Sequence, residues 1–197
     1  MSSPFETDYR LRGRRWAGGS SLPPVHAGDC VLETGCGNGS TLHPLLALGC
    51  RAVGIDIAQE AVRMAGPRDA VAGDIRCLPF RDGVFDAVIC RHVLGHLNEA
   101  GRSAGAAELL RVTRPGGVIY FSGFSPADFR CGSGTETEPN SYLKGDGIMT
   151  HYFTEDELRA CFSSAAEIAV TEKTWSLRVR GIAYPRSELS AVIVRGA

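Results

Sequence analysis

The stretch Val31-Leu32-Glu33-Thr34-Gly35-Cys36-Gly37-Asn38-Gly39-Ser40 decides how the rest of the chain reads. A short apolar run ends on an acid, three glycines alternate with other residues, and a helical pattern of leucines (Leu42, Leu45, Leu46, Leu48) begins at once. Glycine lets the backbone turn tightly and approach a ligand, because no Cβ intervenes. A glycine-rich turn between a strand and a helix N-terminus is the nucleotide-binding corner of an open α/β sheet. The chain is therefore expected to hold a nucleotide, and the residues around this corner must say which.

Outward from the corner, strands and helices alternate. Strands are expected at 30–34, 51–56, 70–72, 84–90 and 118–124, and helices at 41–48, 58–65 and 104–113, with a helical turn over 92–97. That alternation argues for a parallel, doubly wound sheet. Pro115-Gly116-Gly117 reads as a helix terminator. Segment 125–150 breaks the rhythm with Pro126, Pro139 and several glycines and reads as an irregular active-site loop. Thr154 with Glu157 forms a capping-box pattern, Phe153 and Leu158 a hydrophobic staple, and two strands at 167–177 and 189–194 finish the chain. The expectation is one domain over 29–197, preceded over 1–28 by a surface tail or a lid rich in arginine.

Composition narrows the class. The 197 residues suffice for one complete core. Net charge is −1, so no global field draws a polyanion. The seven cysteines are scattered and never spaced Cys-x-x-Cys, which suggests free thiols in a reducing cytoplasm. No apolar run approaches the ~18 residues of a membrane span, the N-terminus lacks a signal-peptide core, and no RNA-binding segment is expected ahead of residue 1.

A dinucleotide dehydrogenase has glycine at the position of Ser40. The glycine corner with Glu33 before it resembles instead motif I of the class I S-adenosylmethionine-dependent methyltransferases. Asp56 ends the second strand, Gly73-Asp74-Ile75 follows the third, Phe85-Asp86-Ala87-Val88-Ile89-Cys90 is similar to the fourth, and Arg114-Pro115-Gly116-Gly117 precedes the fifth. The resemblance implies a Rossmann-like seven-stranded sheet, mostly parallel with the last strand antiparallel. It implies S-adenosyl-L-methionine as cofactor and S-adenosyl-L-homocysteine as product. In such a pocket the Gly35, Cys36 and Gly37 backbone suits the methionine carboxylate, and Glu33 suits its ammonium. Asp56, with Ile57 beside it, suits the ribose; Asp74 and Ile75 suit the adenine; Arg91 suits the carboxylate or an anionic substrate.

A more distant resemblance runs along most of the chain, to the methyltransferase-like family that makes 3-methylcytidine in tRNA. It rests on Tyr142-Leu143-Lys144-Gly145-Asp146-Gly147 leading to His151-Tyr152-Phe153-Thr154, on Gly13-Arg14-Arg15-Trp16, and on Ser176-Leu177-Arg178-Val179-Arg180. It implies Arg14 and Trp16 at the cofactor. Near-neutral charge and Met149, where that family carries a basic residue, depart from it. The expected acceptor is a small molecule, with a tRNA base as the alternative; the residues expected at it are His92, Tyr142 and His151. No metal ligand set is expected, since His92 and His96 lack a third partner and the Glu of a zinc protease. An NAD-type oxidoreductase and a non-catalytic cofactor-binding partner protein stay open. Oligomeric state is not legible in the sequence.

Overall fold

In a computed structural model, which describes residues 3–13 and 21–197, the apolar run of the opening stretch is a buried central strand, β1 (Cys30–Thr34). Leu32 is fully buried and faces Val53 of β2 (Arg51–Asp56) on one side and Val88 of β4 (Phe85–Arg91) on the other. With β3 (Ala70–Ala72), β5 (Thr113–Phe124), β9 (Glu167–Val179) and β10 (Ile182–Val194) these form one sheet in the order β3-β2-β1-β4-β5-β10-β9. β10 runs antiparallel to both neighbours, and the others from β3 to β5 are parallel, as the resemblance implies. Strand order reverses between β1 and β4, and the crevice beyond the carboxyl ends of such strands is where an open sheet takes its ligand.

Helices α2 (Leu42–Leu48), α3 (Gln59–Ala65) and α4 (Glu99–Val112) follow β1, β2 and β4. Pro44 is harmless in α2 because a proline in the first turn removes an N–H that has no intrahelical partner. Thr154 caps α5 (Glu155–Cys161) through the Glu157 N–H at 3.2 Å, and Phe153 and Leu158 are fully buried. The Glu157 carboxylate does not close the capping box; it turns to His151 and Arg102.

Three expectations change. The tail is in part a helix, α1 (Pro4–Arg12), started by the Ser3 side chain and Pro4 and held by an Arg10–Glu6 pair at 3.0 Å. Glu6 also accepts the Glu60 N–H of α3, whose N-cap Ala58 has no capping side chain, so α1 docks on that helix end with Tyr9 against Ala58 and Ala61. Segment 125–150 is not wholly irregular: β6 (Thr135–Glu138), β7 (Ser141–Leu143) and β8 (Met149–His151) build a small antiparallel sheet. Finally, β5 starts at Thr113 rather than at 118 and runs through Pro115-Gly116-Gly117, which lies just past the end of α4 at Val112 as a helix terminator should. Among the described residues no helix is long and apolar enough to cross a membrane.

Candidate active site

The carboxyl ends of β1, β2 and β4, roofed by α1, enclose a cleft of about 1590 Å³. Gly35, Gly37 and Gly39 all take positive φ (62°, 54° and 82°). A Cβ on Gly37 would stand 2.6 Å from the Tyr9 hydroxyl, and one on Gly35 would collide with Val93. The corner thus requires glycine both for its conformation and for its room. Asp56 fixes the corner from β2: one carboxylate oxygen accepts the Gly37 N–H and the other the Ala58 N–H, both at 2.9 Å. Each oxygen keeps a lone pair for a hydroxyl in the cleft. Burial raises the Asp56 carboxyl above its ordinary value, against the two N–H bonds that lower it.

Glu33 is the unusual acid. It is 7% exposed, and its Oε2 has no hydrogen-bond partner among the described residues. Burial pushes its carboxyl up to about 8, with Thr41 and the Arg91 charge pulling the other way. A buried, unpartnered carboxylate oxygen beside a glycine corner is a ready acceptor for an ammonium. Beside it on β4, Arg91 donates to the Ser21 carbonyl at 2.9 Å while its Nη1 stays buried without a partner among the described residues.

His92 follows at the end of β4 with φ of 56°, rare for a non-glycine residue. Its Nε2 lies 2.8 Å from Glu188 Oε2 on β10, its ring stacks on Phe124 with centroids 4.3 Å apart, and its buried Nδ1 has no partner among the described residues. In the tautomer that donates from Nε2 to Glu188, Nδ1 offers a lone pair, the arrangement of a base held by an orienting carboxylate. Burial raises the Glu188 carboxyl, but the hydrogen bonds from His92 and Ser190 work against it, and the carboxyl lies below its ordinary value.

Glu33, Gly35, Cys36, Gly37, Asp56, Ile57, Asp74, Ile75, Arg91 and His92 all line the cleft. Asp74 is clamped by Arg76 in a two-oxygen pair at 2.5–3.0 Å, so an adenine amino group would meet a carboxylate already engaged. Cys36 is a buried thiol whose burial raises its pKa, and the fully buried Cys90 is pushed up to about 11; both are inert packing. Tyr142 and His151 do not line the cleft, contrary to expectation. Tyr142 lies in the small sheet, its ring against Tyr152 and its hydroxyl 3.4 Å from Glu136. His151 is 1% exposed, with Nδ1 on Ser141 at 2.7 Å and Nε2 on Glu157 at 2.8 Å, so both ring nitrogens are engaged in structure. Arg14 and Trp16 lie outside the described residues. The cleft also contains Tyr9, from the arginine-rich segment expected as a tail or lid, and Phe124, Arg130 and Glu188, which were not expected at the site. Glu188 precedes the apolar stretch that marked the last strand, and only the β10–β5 pairing brings it to His92. Among the described residues no cluster of three or more His, Cys, Asp or Glu is arranged to hold a metal ion.

A family profile described as a methyltransferase domain matches residues 32–121, the span from β1 through β5 that carries the glycine corner, Asp56, Asp74 and His92. The chain carries a methyltransferase domain. The cofactor that goes with such a domain is S-adenosyl-L-methionine, and the residues fit it: glycines where a Cβ would not, and an unpartnered Glu33 oxygen where the amino acid part carries an ammonium. A crystal structure of a SAM-dependent methyltransferase from Methanosarcina mazei superposes with a TM-score of 0.76, covering 90% of this chain and 99% of that one; at 23% identity it shows the class I methyltransferase fold. A tRNA N(3)-methylcytidine methyltransferase of Drosophila melanogaster is 27% identical over 82% of this chain and 58% of its own length. A demethylmenaquinone methyltransferase of Renibacterium salmoninarum is 35% identical over 52% of this chain and 44% of its own. The chain thus spans about half the length of these curated relatives.

Proposed function

We propose that this methyltransferase domain moves a methyl group from S-adenosyl-L-methionine to a nucleophile on a small planar molecule, with His92 taking the proton that the nucleophile loses. The observation that carries this reading is the unpartnered His92 Nδ1 in the cleft, with Nε2 anchored on Glu188. When bound, the cofactor supplies an electrophilic methyl on a sulfonium. The chain's own work is then to hold, orient and deprotonate. The glycine corner and Arg91 take the carboxylate end, Glu33 the ammonium, and Asp56 the ribose hydroxyls. His92 and Phe124 form an aromatic wall at the open end of β4, suited to a flat acceptor. Glu188 keeps the imidazole in the tautomer whose Nδ1 accepts a proton.

A tRNA base is the second reading. It is supported by the likeness to the Drosophila enzyme, which extends over more of this chain than the likeness to the menaquinone enzyme does. Labelled methyl transfer separates the two: the protein is incubated with label and either a metabolite extract or total RNA. Label in the small-molecule fraction is expected, and label confined to RNA would replace the first reading by the second. On the acceptor so found, His92→Gln should lower kcat by about 10²-fold or more and leave S-adenosyl-L-homocysteine affinity unchanged. Glu188→Gln should lower kcat less, with KM unchanged. A His92→Gln variant as fast as wild type would remove the base from the account.

A further inference from the structure

The two ends of the cleft carry opposite charge. Glu33, Asp56 and Asp74 line the end at β1, β2 and β3, with Arg91 beside Glu33 and Arg76 paired to Asp74, while Arg130, Lys144 and Lys173 line the other together with Asp146 and Glu188. At the basic end the cations outnumber their counter-charges. Asp128, whose side chain is fully buried, sits between two guanidiniums, accepting from Arg130 Nε at 2.8 Å and Arg186 Nε at 2.6 Å. One carboxylate therefore balances only one of these two charges. Arg130 lies 4.0 Å over the Phe124 ring, the same ring on which His92 stacks. Lys144 is half-buried and forms no ion pair among the described residues. Burial first, and then the nearby Arg130 charge, pull its pKa down against the opposing charges of Asp146 and Asp128. A desolvated lysine beside an arginine, with no acid in ion-pair contact among the described residues, leaves a place for an anion.

We propose that the methyl acceptor is itself an acid, a small molecule whose carboxylate or phosphate is held by Arg130 and Lys144 while its ring lies against Phe124 and His92. Asp128 and Arg186 are positioning residues: they fix the Arg130 fork, and Arg130 presents its remaining N–H groups to the cleft. The acid group then sets the register of the acceptor along the aromatic wall, so that its nucleophile reaches His92 Nδ1. This inference rests on the methyl-transfer reading above, and its test separates the two.

Calorimetric titrations of benzoate, phenyl phosphate and the neutral benzyl alcohol into protein already saturated with S-adenosyl-L-homocysteine make that test. At least one of the two acids should bind, the stronger naming carboxylate or phosphate as the group, and benzyl alcohol should bind at least tenfold more weakly. Lys144→Gln, which breaks no ion pair among the described residues, and Arg130→Gln should each weaken the acid by about 10-fold or more and leave S-adenosyl-L-homocysteine binding as it was. Acid binding no tighter than that of the alcohol, or equal in wild type and Lys144→Gln, would overturn the proposal. Transfer of label to RNA and to no small acid would overturn it as well. Failure of S-adenosyl-L-homocysteine itself to bind would instead overturn the methyl-transfer reading.

Discussion

Glu33 shows how one residue can serve a ligand at the expense of the fold. In the unfolded chain its carboxyl titrates near its ordinary 4.5, and in the fold burial holds it near 8. The folded state therefore keeps a proton that the unfolded state has lost, and stability falls as pH rises from about 4.5 towards 8. Glutamine keeps the shape and the hydrogen-bonding capacity without the charge. Glu33→Gln should therefore stabilise the ligand-free protein by about 2–3 kcal/mol at pH 7 and leave it unchanged near pH 4.5. The same variant should bind S-adenosyl-L-homocysteine more weakly, because the ligand ammonium loses its anion. Denaturation at the two pH values, with calorimetry beside it, checks both; a variant less stable at pH 7 would contradict the burial argument. Glycine is required at position 37 for a different reason. There a positive φ coincides with the Tyr9 hydroxyl 2.6 Å from where a Cβ would stand.

At the scale of elements, the small sheet of β6, β7 and β8 is tied to the domain by buried polar bonds rather than by apolar area. His151 bridges Ser141 and Glu157, and Arg102, itself 3% exposed, joins Glu157 to Glu138 and the Leu97 carbonyl. His151→Ala would strand the Ser141 hydroxyl and remove a Glu157 partner. It should cost about 2–3 kcal/mol of stability while leaving kcat within about threefold at temperatures where the variant is folded. A loss of kcat as large as that of His92→Gln would return His151 to the site. This sheet was not legible in the sequence. Thr135-Glu136-Thr137-Glu138 has no apolar alternation, and strands of three and four residues persist only through pairings that the sequence does not announce. The large sheet was legible because β1, β2, β4 and β5 each carry an apolar run, and those of β1, β2 and β5 are bounded by glycine, proline or an acid. α1 was not, since most of its stability comes from docking Glu6 and Tyr9 on α3.

At the scale of the whole molecule, the strand order puts an acidic and a basic half of one cleft on either side of the switch between β1 and β4. The cofactor half could be read residue by residue, because each of its groups ends or follows a strand in a fixed order. The acceptor half could not, because His92, Glu188, Phe124, Arg130 and Lys144 come from β4, β10, β5 and the segment between β5 and β8, and only tertiary pairing assembles them. His92 alone of that group could be expected, as a polar residue at a strand end facing the cleft. The acidic half makes the central claim, since an unpartnered carboxylate, a glycine corner and a β2 aspartate select a sulfonium nucleoside over a dinucleotide. The most direct test is a calorimetric titration of the wild-type protein with S-adenosyl-L-homocysteine and, separately, with NAD. One-to-one binding of S-adenosyl-L-homocysteine, weakened in Glu33→Gln, with no heat from NAD, is the result expected; tighter binding of NAD, or S-adenosyl-L-homocysteine binding untouched by the loss of Glu33, would contradict it.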